Sequence, residues 1–177
     1  MICIGIDIGL TGAIASVDSA GQAGVYDMPT KPDGKGNRID GLALAQLIRR
    51  IGPATDSALV VFENVQARPQ GNGGAHGNSM HSQASLMRSR GVVEAVVECL
   101  RLRFHVVSPQ TWQRHFGLLL PKEAGEKAEK HSARKKAQSI ALACELHPLV
   151  RGQLSRVKDH NRAEALLLAH YGMGLHA

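Results

Sequence analysis

Met1–Gly12, MICIGIDIGLTG, is the stretch on which the reading of this chain turns. Ile2, Ile4, Ile6 and Ile8 alternate with Cys3, Gly5 and Asp7, so a strand here has one isoleucine face and one face of small residues plus an acid. A carboxylate in that setting stays hydrated, finds a cation or takes up a proton, because an unpaired buried charge is too costly to keep. Gly9 and Gly12 close the strand and Ala13–Val17 returns beside it, which predicts a hairpin. A solvated turn aspartate fits the same residues, so this stretch alone leaves the role of Asp7 open.

Further along, Ala58–Phe62 is a second compact apolar run, and it ends in Glu63-Asn64. An apolar strand again delivers an acid near its end, where ligands bind in open α/β sheets, and two acids placed that way can share a metal. Gln66–Asn78, QARPQGNGGAHGN, follows directly and lacks periodicity. It reads as a substrate-contacting loop with Arg68 and His76 as its polar reach, or as a loop without fixed structure.

Between the two strands, Gly24–Met28 reads as a third strand and Pro29–Arg38 as a loop whose Lys31, Lys35 and Arg38 are solvated or touch phosphate. Asp40 caps a helix with Leu42, Leu44, Leu47, Ile48 and Ile51 as its stripe, stopped by Gly52-Pro53. Ser79–Leu102 is mostly helical, and its second half, with Val92, Val93, Val96, Val97 and Leu100, is apolar over much of its circumference. Such a helix is core or a dimer interface. Phe104–Val107 is a short strand, and Ser108-Pro109 starts a capped helix carrying Trp112, the sole tryptophan, either as core or as a base-stacking ring.

Lys130, His131, Arg134, Lys135 and Lys136 crowd the start of a late helix, an arrangement that suits either phosphate neutralisation or a solvated face. The closing segment, Asp159–Ala169, supplies a third acidic site. Asp159 or Asn161 caps a helix that places Glu164 near its first turn, on one face with His160 and Asn161.

The 177 residues fit one α/β domain, 1–177, with 44% hydrophobic and 20% charged residues. Twenty-one Lys and Arg against 15 Asp and Glu give +6 and a pI near 9.6, a balance that favours a polyanionic partner. Cys3, Cys99 and Cys144 form neither a disulfide framework nor a thiolate metal motif. No basic leader and no apolar run long enough for a membrane span is present, so the expectation is a cytoplasmic protein without membrane association.

Taken together, IGIDIGLTGAIA (Ile4–Ala15), VVFENVQA (Val60–Ala67), VSPQTWQ (Val107–Gln113) and DHNRAEALLLAHYG (Asp159–Gly172) resemble the RuvC family of Holliday-junction resolvases, within the RNase H-like superfamily. The second and third segments look closer to phage-type and chloroplast relatives. The resemblance implies an RNase H-like mixed sheet with antiparallel N-terminal hairpin strands, flanked by helices. It also implies a homodimeric endonuclease that resolves four-way DNA junctions by hydrolysis with two Mg²⁺ ions, for which Mn²⁺ substitutes. Asp7, Glu63 and Glu164 would then bind metal. The family's fourth acid falls on Asn161 here, so Asp159 or His160 would complete the site. Arg68, Arg88, Arg90, Lys130, Arg134, Lys135 and Lys136 would hold DNA phosphates, and the apolar helix after Gly91 would form the dimer. The competing readings are a nuclease-inactive nucleic-acid binding module and a nuclease for other branched DNA or RNA-DNA hybrids. An actin-like kinase shares the DxG opening, but the chain is too short for its two lobes.

Overall fold

The alternating run at the N-terminus forms the central strand of a five-stranded mixed sheet. The computed structural model describes residues 1–52, 58–66 and 79–175. Strand β1 (Ile2–Asp7) pairs antiparallel with β2 (Ala13–Asp18), which pairs antiparallel with β3 (Ala23–Asp27). On its other side β1 runs parallel to β6 (Ala58–Glu63), and β6 parallel to β7 (Arg103–Val107), giving the order β3-β2-β1-β6-β7. A separate ribbon is formed by β4 (Thr30–Asp33) and β5 (Gly36–Ile39).

The ribbon corrects the expectation of a plain loop over Pro29–Arg38. Gly34 takes the left-handed turn at φ 60°, and Pro32 is tolerated because a two-stranded ribbon consists of edges.

The two faces of β1 divide the core. Ile4, Ile6 and Ile8 join Ile14, Val60 and Phe62 under helices α1 (Gly41–Ile51) and α2 (Met80–Cys99). Cys3 joins Ala15, Leu59 and Val61 under α5 (His160–Gly174). Helices α3 (Pro109–His115) and α4 (Ala128–Leu146) complete that layer through Trp112 and Ala143. Ala165 to Ala169 of α5 are fully buried, as befits a helix apolar around its whole circumference.

The small residues of β1 let α5 lie directly on the sheet. A methyl group on Gly5 would collide with the Ala165 carbonyl oxygen and the Ala169 backbone nitrogen, and one on Gly172 would lie 2.7 Å from Val61 Cγ2. Gly172 sits against Cys3, and Ala165 against Gly5, so α5 runs antiparallel to β1. Its N-terminal turn therefore falls at the Asp7 end of the strand.

Local sequence sets the helix starts. Asp40 accepts hydrogen bonds from the Leu42 and Ala43 amides, and Ser108 from that of Thr111, as expected of capping residues. Leu42 itself points outward, 68% exposed. Helix α2 runs unbroken through Gly91 and spends Val93 and Val97 on the core beneath it, which leaves Gly91 and Ala95 on its outer face.

Candidate active site

Side-chain alternation carries both strand acids to the α5 face. Asp7 has the parity of Cys3 and Gly5; Glu63 has that of Leu59 and Val61, which lie in the α5 core. The parallel register pairs Ile6 with Phe62, so the two acids stand one step beyond, abreast at the ends of neighbouring strands. Helix α5 adds Glu164 from above, one residue before the Ala165 contact with Gly5.

The electrostatics record how these groups act on one another. Burial raises the pKa of Asp7 well above the usual carboxylate range, and the charges of Glu164 and Glu63 push it the same way. Glu164 is pushed up to about 7, first by burial and then by Glu63, against the opposing pull of Lys136 and Lys135. Glu63 is raised by burial, opposed by a hydrogen bond from Trp112 and by the charge of Lys135.

The bond between Trp112 and Glu63 is what reading the sequence missed. Trp112 is fully buried, as the core reading holds, and its indole N–H donates to Glu63 Oε1 at 2.6 Å. Arg90 holds the same strand exit from the other side, donating to Asn64 Oδ1 at 2.9 Å and to the Val65 carbonyl at 2.7 Å. It also pairs with Glu94. Nothing in the spacing of these residues signals that α2 and α3 converge on Glu63.

The second half of the acidic segment is arranged differently from the expectation. Asp159 occupies the cap position of α5, yet its carboxylate accepts from the Arg156 amide at 2.8 Å and from the Arg156 guanidinium at 2.7 Å. Arg156 and the nearby Arg162 hold Asp159 below the usual carboxylate range. Its oxygens are thus spent on a local turn, and the groups that raise Asp7 do not include it. His160 Nδ1 faces the Val157 carbonyl. Asn161 is the residue of that trio aimed at the strand ends: its amide donates to the Thr11 carbonyl in the turn that follows Asp7.

Of the expected phosphate-binding residues, Arg134 is committed to Glu126, donating to both carboxylate oxygens, and Glu126 falls to about 2 through that bond first. Arg88 pairs with Asp33 at 2.5 Å. Lys135 and Lys136 instead neighbour the carboxylates, and Lys130 is exposed on the first turn of α4. Arg68 and His76 lie outside the described residues.

Among the described residues, no group of three or more His, Cys, Asp or Glu side chains is drawn together closely enough to hold a metal ion as placed. The donors nonetheless fit a hard divalent cation in kind. They are carboxylate oxygens, and burial raises the pKa of each, with neighbouring acids adding to the rise at Asp7 and Glu164.

No protein-family model matches the chain, and no characterised protein matches it by sequence. Solved structures do resemble it. RuvC of T. thermophilus in complex with a Holliday junction substrate shares 13% identity and superposes with a TM-score of 0.57 over 98% of this chain and 97% of that one. The yeast mitochondrial Holliday junction resolvase Ydc2 shares 13% identity at a TM-score of 0.50, over 94% of this chain and 75% of that one. The fold is therefore the RNase H-like mixed sheet of the RuvC-type proteins, in agreement with the four sequence segments that resemble them. No helix among the described residues is long and apolar enough to cross a membrane.

Proposed function

We propose that this chain is a metal-dependent endonuclease for branched DNA, resolving four-way junctions by phosphodiester hydrolysis. The observation that carries the reading is that Asp7 and Glu63 end adjacent parallel strands abreast and that the charge of Glu164, on the crossing helix, acts on Asp7. The fold shared with junction resolvases supports it.

In this reading Asp7, Glu63 and Glu164 would hold divalent cations, Mg²⁺ or Mn²⁺. Such ions, when bound, make a water nucleophilic and stabilise the leaving oxygen. The protein's own residues do the positioning. Trp112 and Arg90 fix Glu63 and the chain just after it. Lys135 and Lys136, beside the carboxylates, offset their charge and meet the incoming phosphate. Asn161 ties the start of α5 to the turn after Asp7, which keeps Glu164 in register with the strand ends. It takes the place of a fourth acid without supplying a charge, and Asp159 serves to hold the turn before α5.

A two-fold assembly would match the symmetry of a four-way junction. The surface of α2 left for it is the outer strip with Gly91 and Ala95, since Val93 and Val97 are spent within the monomer.

The deciding experiment offers junction, flap, duplex and RNA-DNA hybrid substrates with Mg²⁺ to the wild type and to Glu164→Gln. Paired nicks in the junction by the wild type alone support the reading. Cleavage that survives Glu164→Gln removes Glu164 from the reacting site, and binding without cleavage returns the protein to a nucleic-acid binding role.

A further inference from the structure

The β4–β5 ribbon and the N-terminal half of α2 line a cleft of about 460 Å³ that the site does not use. Ion pairing between Arg88 and Asp33, at 2.5 Å, ties the ribbon to the helix and fixes the width of the cleft. Lys35 and Arg38 reach in from the ribbon, and His81 from α2. Asp33 is the acid in the wall and Arg88 already answers it, so Lys35 and Arg38 stand uncompensated among the described residues. Leu10, on the turn immediately after Asp7, also lines it. One end of the cleft therefore reaches that turn, on the α2 face of the sheet, while the carboxylates lie on the α5 face.

A second cleft lies across Leu10, lined by Arg156, Lys158 and Arg162, but it is a poorer anion site. Arg162 is spent on Asp27 through two bonds of 2.6 and 2.7 Å, and Arg156 on Asp159.

From this placement we propose that the ribbon–α2 cleft holds the sugar-phosphate backbone of one arm of the DNA substrate, flanking the carboxylate site. The proposal rests on the nuclease reading above. A backbone lying over Leu10 would present successive phosphates to Lys35 and Arg38 on one side while a neighbouring linkage reaches the acids. Such contacts are indifferent to base sequence; they orient the arm and add salt-dependent affinity.

The experiment uses the full chain carrying Asp7→Asn, so that substrate is bound without being cut. Fluorescence anisotropy with a labelled four-way junction is recorded over a salt series for this protein, for the same protein with K35A and R38A, and for it with R49A and R50A. The last pair removes equal charge from the exposed outer side of α1. Circular dichroism and a thermal melt confirm folding of each. Loss of the two cleft contacts should weaken junction binding by about tenfold or more and lower the slope of log affinity against log salt by about 2, with R49A/R50A unchanged. An equal loss in both pairs, or an unchanged slope in K35A/R38A, overturns the cleft assignment while leaving the nuclease reading intact. Failure of both the parent and the wild-type protein to bind any junction overturns the nuclease reading itself.

Discussion

Trp112 shows how one atom can give a buried ring a second task. Its ring fills the core under α5, and its N–H, which would otherwise be stranded there, is satisfied by Glu63. Trp112→Phe keeps most of the ring volume and removes only that donor. If Glu63 is a metal ligand, the variant should fold, and either the metal affinity or the cleavage rate should fall by about 10- to 100-fold, the usual cost of losing a partner that orients a ligand. Titrating Mg²⁺ or Mn²⁺ into activity and direct-binding assays checks this; unchanged values would make Trp112 core alone. Glu164 gives a second prediction. Its pKa is about 7 in the folded protein against an ordinary 4.5, so between those values the native state binds more protons than the unfolded chain. Stability of the metal-free protein should therefore fall as pH rises from about 4.5 to 7. Glu164→Gln should flatten that fall and be more stable than the wild type at pH 8, by about 2 kcal/mol. Urea melts at pH 5 and 8 in EDTA read both effects.

At the level of elements, the contact between α5 and β1 sets both the core and the site. Gly5→Ala would drive a methyl into the α5 backbone at Ala165 and Ala169, where no side chain can rotate away. Displacing α5 should cost about 3 kcal/mol or more, at the upper end of overpacked cores, and should abolish cleavage by lifting Glu164 away from Asp7. A denaturation midpoint equal to that of the wild type would contradict this account of the interface. That contact also marks how far the sequence was legible. Period-two alternation in β1 put Asp7 on the face of small residues, and Glu63 was readable as an acid at the end of a second apolar strand, but the face they share came only with the parallel register. The apolar stretch after Glu164 demanded burial, so the helix was readable, but its crossing of β1 at Gly5 was not. The ribbon at Thr30–Ile39 was hidden, because lysine, proline and glycine in so short a run carry no apolar alternation. Arg90 and Trp112 at the end of β6 were hidden for a different reason. Their partners lie 26 and 49 residues away, and only the packed fold shows which helix crosses Glu63. Asp159 was misjudged for a local reason, since the arginine that captures it stands three residues earlier, within reach of a single turn.

Across the whole molecule, charge is distributed in two opposed ways. The chain is basic at +6, yet its carboxylates of raised pKa lie at one end of the sheet, where a polyanionic substrate would have to come closest. Lys135 and Lys136 offset part of that repulsion from α4, and Lys35 and Arg38 lie on the opposite flank beyond Leu10. If DNA is the partner proposed above, long-range attraction would bring it to the surface, and the last few ångströms would be resisted until cations neutralise the acids. Asp7→Asn removes one carboxylate without changing the side chain's size, beside the charges of Glu164 and Glu63 that act on it. Cleavage should be lost while junction affinity is equal to or higher than that of the wild type, by about threefold in EDTA at low salt. With Mg²⁺ present the gain should shrink, because the ion does for the wild type what the substitution does for the variant. Anisotropy titrations of both proteins, with and without Mg²⁺, separate these outcomes. Weaker binding by a folded Asp7→Asn protein in EDTA would mean that Asp7 attracts the substrate through a donor or an ordered cation, and that the repulsion assigned to this end of the sheet does not govern the approach of DNA.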